Sequence, residues 1–193
     1  MPEVDYQNWQ INFLNECFRV LKPTGSMFYN HKRRRINNAI ITPEEWLFKT
    51  EFKINQLITW DRRISPNVSH YFLTPVSEYF YWLVKSDNFK CFVNNLPEQY
   101  RGNVWTMVPE RNLEHPAPFN IMLPELCLKL TTEEGDIVLD PFMGSGSTGV
   151  AAKRNKRKYY GFDISENYAN ISNRKISSTN EVSDVKKEKV EIT

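Results

Sequence analysis

Between Asp140 and Gly149 the chain reads Asp-Pro-Phe-Met-Gly-Ser-Gly-Ser-Thr-Gly, its most informative stretch of chemistry-bearing residue types. Gly144, Gly146 and Gly149 keep the G-x-G-x-x-G spacing of a turn between a strand and a helix, where backbone can approach a nucleotide-like ligand. Asp163 ends the next predicted strand, 163 − 144 = 19 residues further on, where a carboxylate can accept hydrogen bonds from ribose hydroxyls. A glycine pattern alone is weak. Flanked by strand and helix and followed by that carboxylate, it points to an adenosine-containing cofactor. Two classes fit. A dinucleotide brings a pyrophosphate, which favours a helix N-terminus free of other anions. S-adenosylmethionine brings a cationic sulfonium and an ammonium, with no phosphate. Asp140, ahead of the glycines, repels pyrophosphate and favours the ammonium, so the residues tilt toward a methyl donor.

The remaining chemistry-bearing residues are sparser. His31-Lys32-Arg33-Arg34-Arg35 and Lys153-Arg154-Asn155-Lys156-Arg157-Lys158 are two basic blocks in a chain with 25 basic and 23 acidic residues, a balance that by itself demands no polyanionic partner. The three cysteines, Cys17, Cys91 and Cys127, have no paired spacing. That argues against a zinc ribbon or any metal site and for reduced thiols in a cytoplasmic setting. Packing accounts for Cys17 and Cys127, so no nucleophilic cysteine is expected. No apolar run approaches the roughly 20 residues of a membrane span, and Met-Pro-Glu-Val-Asp does not begin a signal peptide.

The elements that must position these residues alternate. Trp9, Phe13, Cys17 and Leu21 fall at four-residue spacing and predict a helix over 8–21, stopped by Lys22-Pro23-Thr24-Gly25. A short strand over 26–30 follows. Thr42-Pro43 opens a helix to about residue 50, and 53–60 and 77–84 are strands, the second rich in aromatic side chains. Residues 86–118 read as a loop-rich excursion with little regular structure. A helix over 124–130, a buried strand over 136–140, a helix from 144 to 153, a strand over 158–163 and a helix over 166–176 complete the order. From 177 to 193 the chain is rich in Ser, Lys and Glu and is expected to be a disordered tail. Helices alternating with strands predict one α/β domain over 1–176 with a mostly parallel sheet, ahead of that tail.

At the glycine loop the sequence resembles the exocyclic-amine DNA methyltransferases, which act on adenine N6 or cytosine N4 within restriction–modification and related systems. Their Asp-Pro-Phe-x-Gly-Ser-Gly-Thr motif matches Asp140 to Ser147, with Ser147 in place of threonine. His115-Pro116-Ala117-Pro118-Phe119 resembles the family segment that packs over the methionine end of the cofactor, Tyr160-Gly161-Phe162-Asp163 the ribose-binding strand, and Arg19 to Ser26 the unit that follows the catalytic motif. The likeness spans roughly residues 5–175 in a permuted motif order. It implies a Rossmann-like fold that binds S-adenosylmethionine through His115, Pro116, Phe119, Asp140, Pro141, Phe142, Gly144, Ser145, Gly146, Ser147 and Asp163.

One family element is absent from the 193 residues. The catalytic motif, (Asp, Asn or Ser)-Pro-Pro-(Tyr, Phe or Trp), requires a Pro-Pro pair, and there is none; Ser65-Pro66-Asn67 shares only two letters. No catalytic residue can therefore be assigned. In the permuted order the motif should precede Trp9, on a central strand whose removal leaves two rows of unpaired backbone groups. The expectation is the C-terminal portion of a methyltransferase, inactive alone or completed by a separate polypeptide. The first basic block follows the strand ending at Asn30, the rim where ligands bind in open α/β sheets. Lys32, Arg33, Arg34 and Arg35 are therefore expected to meet the phosphates of double-stranded DNA on the rim that carries the cofactor loop. The block from Lys153 to Lys158 is read as structural, and 86–112, with Tyr100, Arg101, Trp105 and Arg111, as a candidate target-recognition segment. The competing readings are a non-catalytic DNA-binding or split-enzyme fragment and, disfavoured by Asp140, a nicotinamide-dependent oxidoreductase.

Overall fold

The computed structural model describes residues 1–65, 71–108 and 120–181. They form two compact units, one of residues 1–111 with 129–132, the other of 112–128 with 133–193.

The first unit opens with α1 (Glu3–Val20). It starts five residues before the apolar periodicity, because Pro2 sets the N-cap and Glu3 and Asp5 place negative charge in the first turn. β1 (Ser26–Asn30) leads into a hairpin of β2 (Arg34–Ile36) and β3 (Ala39–Ile41), then a single-turn α2 (Glu44–Leu47). The helix from Thr42 thus ends at Leu47 rather than near residue 50. β4 (Lys53–Asp61) and β5 (Ser77–Val84) stand where the sequence predicts strands. The excursion after residue 86 holds two 3-10 turns and a further short strand, β6 (Val104–Thr106).

The four strands order as β1-β5-β4-β6. β5 runs antiparallel to both neighbours and β6 parallel to β4, so β1, β4 and β6 share a direction and β5 alone is reversed. Parallel direction prevails, although the β5 ladders are antiparallel. Among the described residues one edge of β1 has no strand beside it. Leu14, Tyr29, Trp46, Leu47, Phe52, Tyr81 and Leu83 form the core between α1, α2 and the sheet. A polar chain crosses it. Trp46 Nε1 donates to Tyr29 Oη (3.1 Å), which donates to Gln10 Oε1 (2.8 Å). Gln10 Nε2 in turn donates to Tyr6 Oη (2.8 Å), and Gln10 is only 5% exposed. Such groups are tolerated inside because each is satisfied.

In the second unit, α3 (Met122–Thr131), whose last residues count with the first unit, is followed by β7 (Ile137–Asp140), α4 (Ser147–Arg154), β8 (Lys158–Gly161) and α5 (Glu166–Ser178). β7 and β8 pair in parallel. Val138 and Tyr159 pack on Leu128, Ala151 and Ala152. The expectation of a buried strand over 136–140 is corrected here: Ile137 and Leu139 remain 52% and 43% exposed, since helices cover only the Val138 face. The predicted tail begins too early, because Ser177 and Ser178 still belong to α5; residues 182–193 lie outside those described.

Candidate functional site

The glycine loop is built by hydrogen bonds that begin and end on two aspartates. Asp140 closes β7 and its Oδ1 accepts the Phe142 N–H (3.0 Å), while its backbone O accepts the Phe162 N–H (3.0 Å). Phe162 O accepts the Met143 N–H (2.9 Å), tying the loop across to the end of β8. Asp163 then takes two backbone donors: Gly144 N–H on Oδ2 (3.0 Å) and Ser165 N–H on Oδ1 (2.8 Å). Asp140 is the last residue of β7, whereas β8 stops at Gly161 rather than at Asp163 as expected, so Asp163 lies two residues past the carboxyl end of the neighbouring parallel strand, across the loop from Asp140.

The glycines have separate reasons. Gly144 (φ +48°) and Gly146 (φ +85°) occupy the left-handed region, which favours glycine. A Cβ on Gly146 would meet Ser172, whose Cα lies 3.0 Å away, so that glycine lets α4 approach α5. A Cβ on Gly144 would meet nothing within 4 Å; space above it is open. Gly146 is also the N-cap of α4 and, having no side chain, brings no side-chain cap to that end of the helix, where the helix dipole is positive. The exposed side chains of Phe162 (61%) and Ile164 (107%) bracket Asp163 and offer apolar surface for a flat ring. Sequence reading passed over Ile164. An exposed apolar residue directly after a strand-end carboxylate is the signal that could have found it.

Of the residues expected to hold the cofactor, Asp140, Pro141, Phe142, Gly144, Ser145, Gly146, Ser147 and Asp163 come together in this loop. His115, Pro116 and Phe119 lie outside the described residues. Asp163 has a structural task as well, since its carboxylate orders the loop and the start of α5. The second basic block is structural: Lys153 Nζ donates to Ile176 O (2.9 Å) and Ser177 O (3.0 Å), capping α5, and Lys156 pairs with Glu134 (3.3 Å).

The first basic block divides in two. Arg34 turns inward, with Nη2 on Glu3 Oε1 (2.6 Å) and its guanidinium 3.8 Å above the Tyr6 ring. Lys32 pairs with Glu78 (3.2 Å), a carboxylate already held by Arg62 (2.6 Å). Arg33 and Arg35 are exposed, lie over Tyr79 (4.5 Å) and Phe72 (5.1 Å), and form no ion pair among the described residues. Beside them His31 accepts from Tyr6 Oη at Nε2 (2.6 Å) and donates from Nδ1 to Lys32 O (2.7 Å). Burial, first, and then the nearby Arg34 hold its pKa below the ordinary value, against the Lys32 carbonyl and Glu3, so the neutral ring fits this network. Burial likewise pushes the Cys17 thiol up to about 11 and the Cys127 thiol higher still, which leaves both unreactive.

A family model described as DNA methylase, N6_N4_Mtase, matches residues 3–174. The type II methyltransferase M2.DpnII of Streptococcus pneumoniae is 31% identical over 175 residues, covering 84% of this chain and 64% of its own length. M.BglII of Bacillus subtilis is 27% identical over 205 residues, covering 89% and 57%. The chain thus spans about three fifths of the curated relatives it matches. Among solved structures, the cytosine-N4-specific PvuII DNA methyltransferase aligns with a TM-score of 0.75 at 21% identity, over 88% of this chain and 70% of that one. The M1.HpyAVI–SAM complex aligns at 0.69 and 23%, over 86% and 81%. These structures share the fold.

Proposed function

This chain belongs to the N6/N4 DNA methylase family, and from that premise we propose that it carries the S-adenosylmethionine site of an enzyme that methylates adenine N6 or cytosine N4 in double-stranded DNA. One observation carries the reading: Asp140 and Asp163 stand at, and just past, the same ends of two parallel strands, flanking a left-handed glycine whose outer side is open. Asp140 there suits a cationic ligand and opposes a pyrophosphate, which argues against a nicotinamide cofactor, while Asp163 suits the ribose of either. The fit extends to shape. A Cβ at Gly144 would occupy the space a ligand needs, the start of α4 turns the positive end of its dipole toward the methionine carboxylate, and Phe162 with Ile164 offers a face for adenine.

When bound, S-adenosylmethionine supplies an electrophilic methyl on a positively charged sulfur. The residues of this chain hold and orient it: Asp140 draws the ammonium, Asp163 keeps Gly144 in place and has lone pairs left for ribose hydroxyls, and Pro141, Phe142, Ser145 and Ser147 line the turn. By resemblance, His115, Pro116 and Phe119 cover the methionine end. The match over 3–174 supports one methyltransferase domain, and the type II relatives support a restriction–modification setting, for which a cytoplasmic location is proposed.

A second reading is favoured by a fact of the sequence, the lack of any Pro-Pro pair. Here the groups that grip the target amine come from a separate polypeptide, and the 193 residues bind cofactor and DNA without turning over. The edge of β1 that has no strand beside it among the described residues is where a further strand would pair. Titration calorimetry with S-adenosylmethionine and with NAD tests the cofactor; binding of NAD alone overturns the proposal. Transfer of labelled methyl to duplex DNA separates the two readings, since robust turnover by the purified chain excludes the need for a companion.

A further inference from the structure

The β2–β3 hairpin is short, stiff at its base and exposed at its tip. Ile36 pairs with Ala39, so Asn37 and Asn38 alone make the turn, at φ +48° and +63°. That is the left-handed pair of a type I′ turn, for which glycine is the strain-free choice at the second position. Asparagine stands there instead. Neither side-chain amide has a hydrogen-bond partner among the described residues, and both residues are exposed. At the base, Arg34 on Glu3 and Tyr6 fixes the ribbon to α1. Arg33 and Arg35, without an ion pair among the described residues, flank the stem, and Arg35 Nη2 donates to Asn38 O (3.3 Å).

We propose that this hairpin is the element with which the chain reads DNA sequence, entering the major groove with Asn37 and Asn38 at base edges while Arg33 and Arg35 meet the neighbouring phosphates. The proposal rests on the DNA methyltransferase reading above and names the recognition element within it. A two-stranded ribbon fits a major groove about 12 Å wide and 8.5 Å deep, and the three-residue strands reach about 10 Å at 3.4 Å per residue. Asparagine amides offer the donor–acceptor pair that matches adenine N6 and N7. Guanidiniums held on aromatic rings are pre-oriented for phosphate. The segment over 86–112 is less suited where it is described. Trp105 is only 1% exposed and donates its indole N–H to Tyr100 O (3.0 Å), while Arg101 Nε is used on Leu96 O (3.1 Å).

The test selects 30-base-pair duplexes with a randomised centre on the full 193-residue chain, then compares variants on the selected and unselected pools. Asn37→Gly and Asn38→Gly keep or improve the turn, so melting temperature should hold while preference for the selected sequence falls at least about 5-fold, as loss of a base contact implies. The double variant Arg33→Ala/Arg35→Ala should weaken both pools alike and reduce the slope of log affinity against log salt by about 2. Unchanged preference in both glycine variants, or no sequence enriched by the wild type, overturns the proposal while leaving the methyltransferase reading intact. A chain that binds S-adenosylmethionine but no duplex at all overturns the DNA reading itself, and the hairpin proposal with it.

Discussion

The carboxylate of Asp163 accepts the backbone N–H of Gly144 at 3.0 Å, across 19 residues of sequence. That interval is the one a ribose-binding aspartate would show, so the side chain that shapes the loop is also the one proposed to meet the ribose. Its other oxygen holds the Ser165 N–H at 2.8 Å. Asp163→Asn keeps the size but replaces one acceptor by a donor, and one of those backbone groups loses its partner. A charge-assisted bond of this kind contributes about 1.5–3 kcal/mol. The variant should melt several degrees lower and bind S-adenosylmethionine at least 10-fold more weakly by calorimetry. Full affinity in Asp163→Asn would remove this residue from the site.

Gly144 borders open space, where the proposed cofactor would lie, while Gly146 borders packed protein. Both have positive φ, so alanine at either should cost about 1–2 kcal/mol from backbone strain. At Gly146 the new methyl also drives into Ser172 on α5, and the total should reach about 3 kcal/mol or more. At Gly144 the methyl meets no protein atom. Gly144→Ala should therefore fold, with modest loss of stability, yet bind S-adenosylmethionine far more weakly. Thermal melts read beside calorimetry check the contrast, and equal melting losses with equal affinities would contradict it.

The three arginines at 33–35 should behave differently under substitution. Arg34 shares a short ion pair with Glu3 and stacks on Tyr6, both partly buried. Its removal strands a carboxylate and uncovers an aromatic face, which predicts a loss of about 2–3 kcal/mol for Arg34→Ala. Arg33→Ala and Arg35→Ala remove exposed cations and should each change stability by less than about 0.5 kcal/mol. Denaturant melts of the three variants decide this.

The split of that block explains what sequence alone could and could not reveal. Ser77 to Val84 is legible as a strand because four aromatic residues crowd it, and the glycine loop because three glycines and two aspartates have few other uses together. Residues 34–41 are not, because a run of arginines reads as solvated charge and Asn-Asn is a weaker turn signal than Asn-Gly. β6 hides for another reason: three residues are too few for a period, and its place is set by pairing with β4. The exposed Leu139 face misleads in the opposite sense. A continuous apolar run predicts burial on both sides, while what covers a strand is decided by elements far away in sequence.

His31 gives the molecule a pH dependence with a definite sign. Its Nε2 accepts from Tyr6 and its Nδ1 donates to the Lys32 carbonyl, an arrangement that requires the neutral ring. The folded state lowers its pKa, first through burial and next through Arg34. An unfolded histidine titrates near 6.5. Between the folded and unfolded values the unfolded chain holds more protons, so the stabilisation is complete above about pH 6.5 and is lost as pH falls through the lower folded pKa. Thermal melts from pH 7.5 down to 5 should show this loss in the wild type. His31→Gln keeps an acceptor for Tyr6 but cannot titrate, and its melting temperature should fall less steeply over that interval. Parallel curves for the two proteins would show that His31 does not control the dependence.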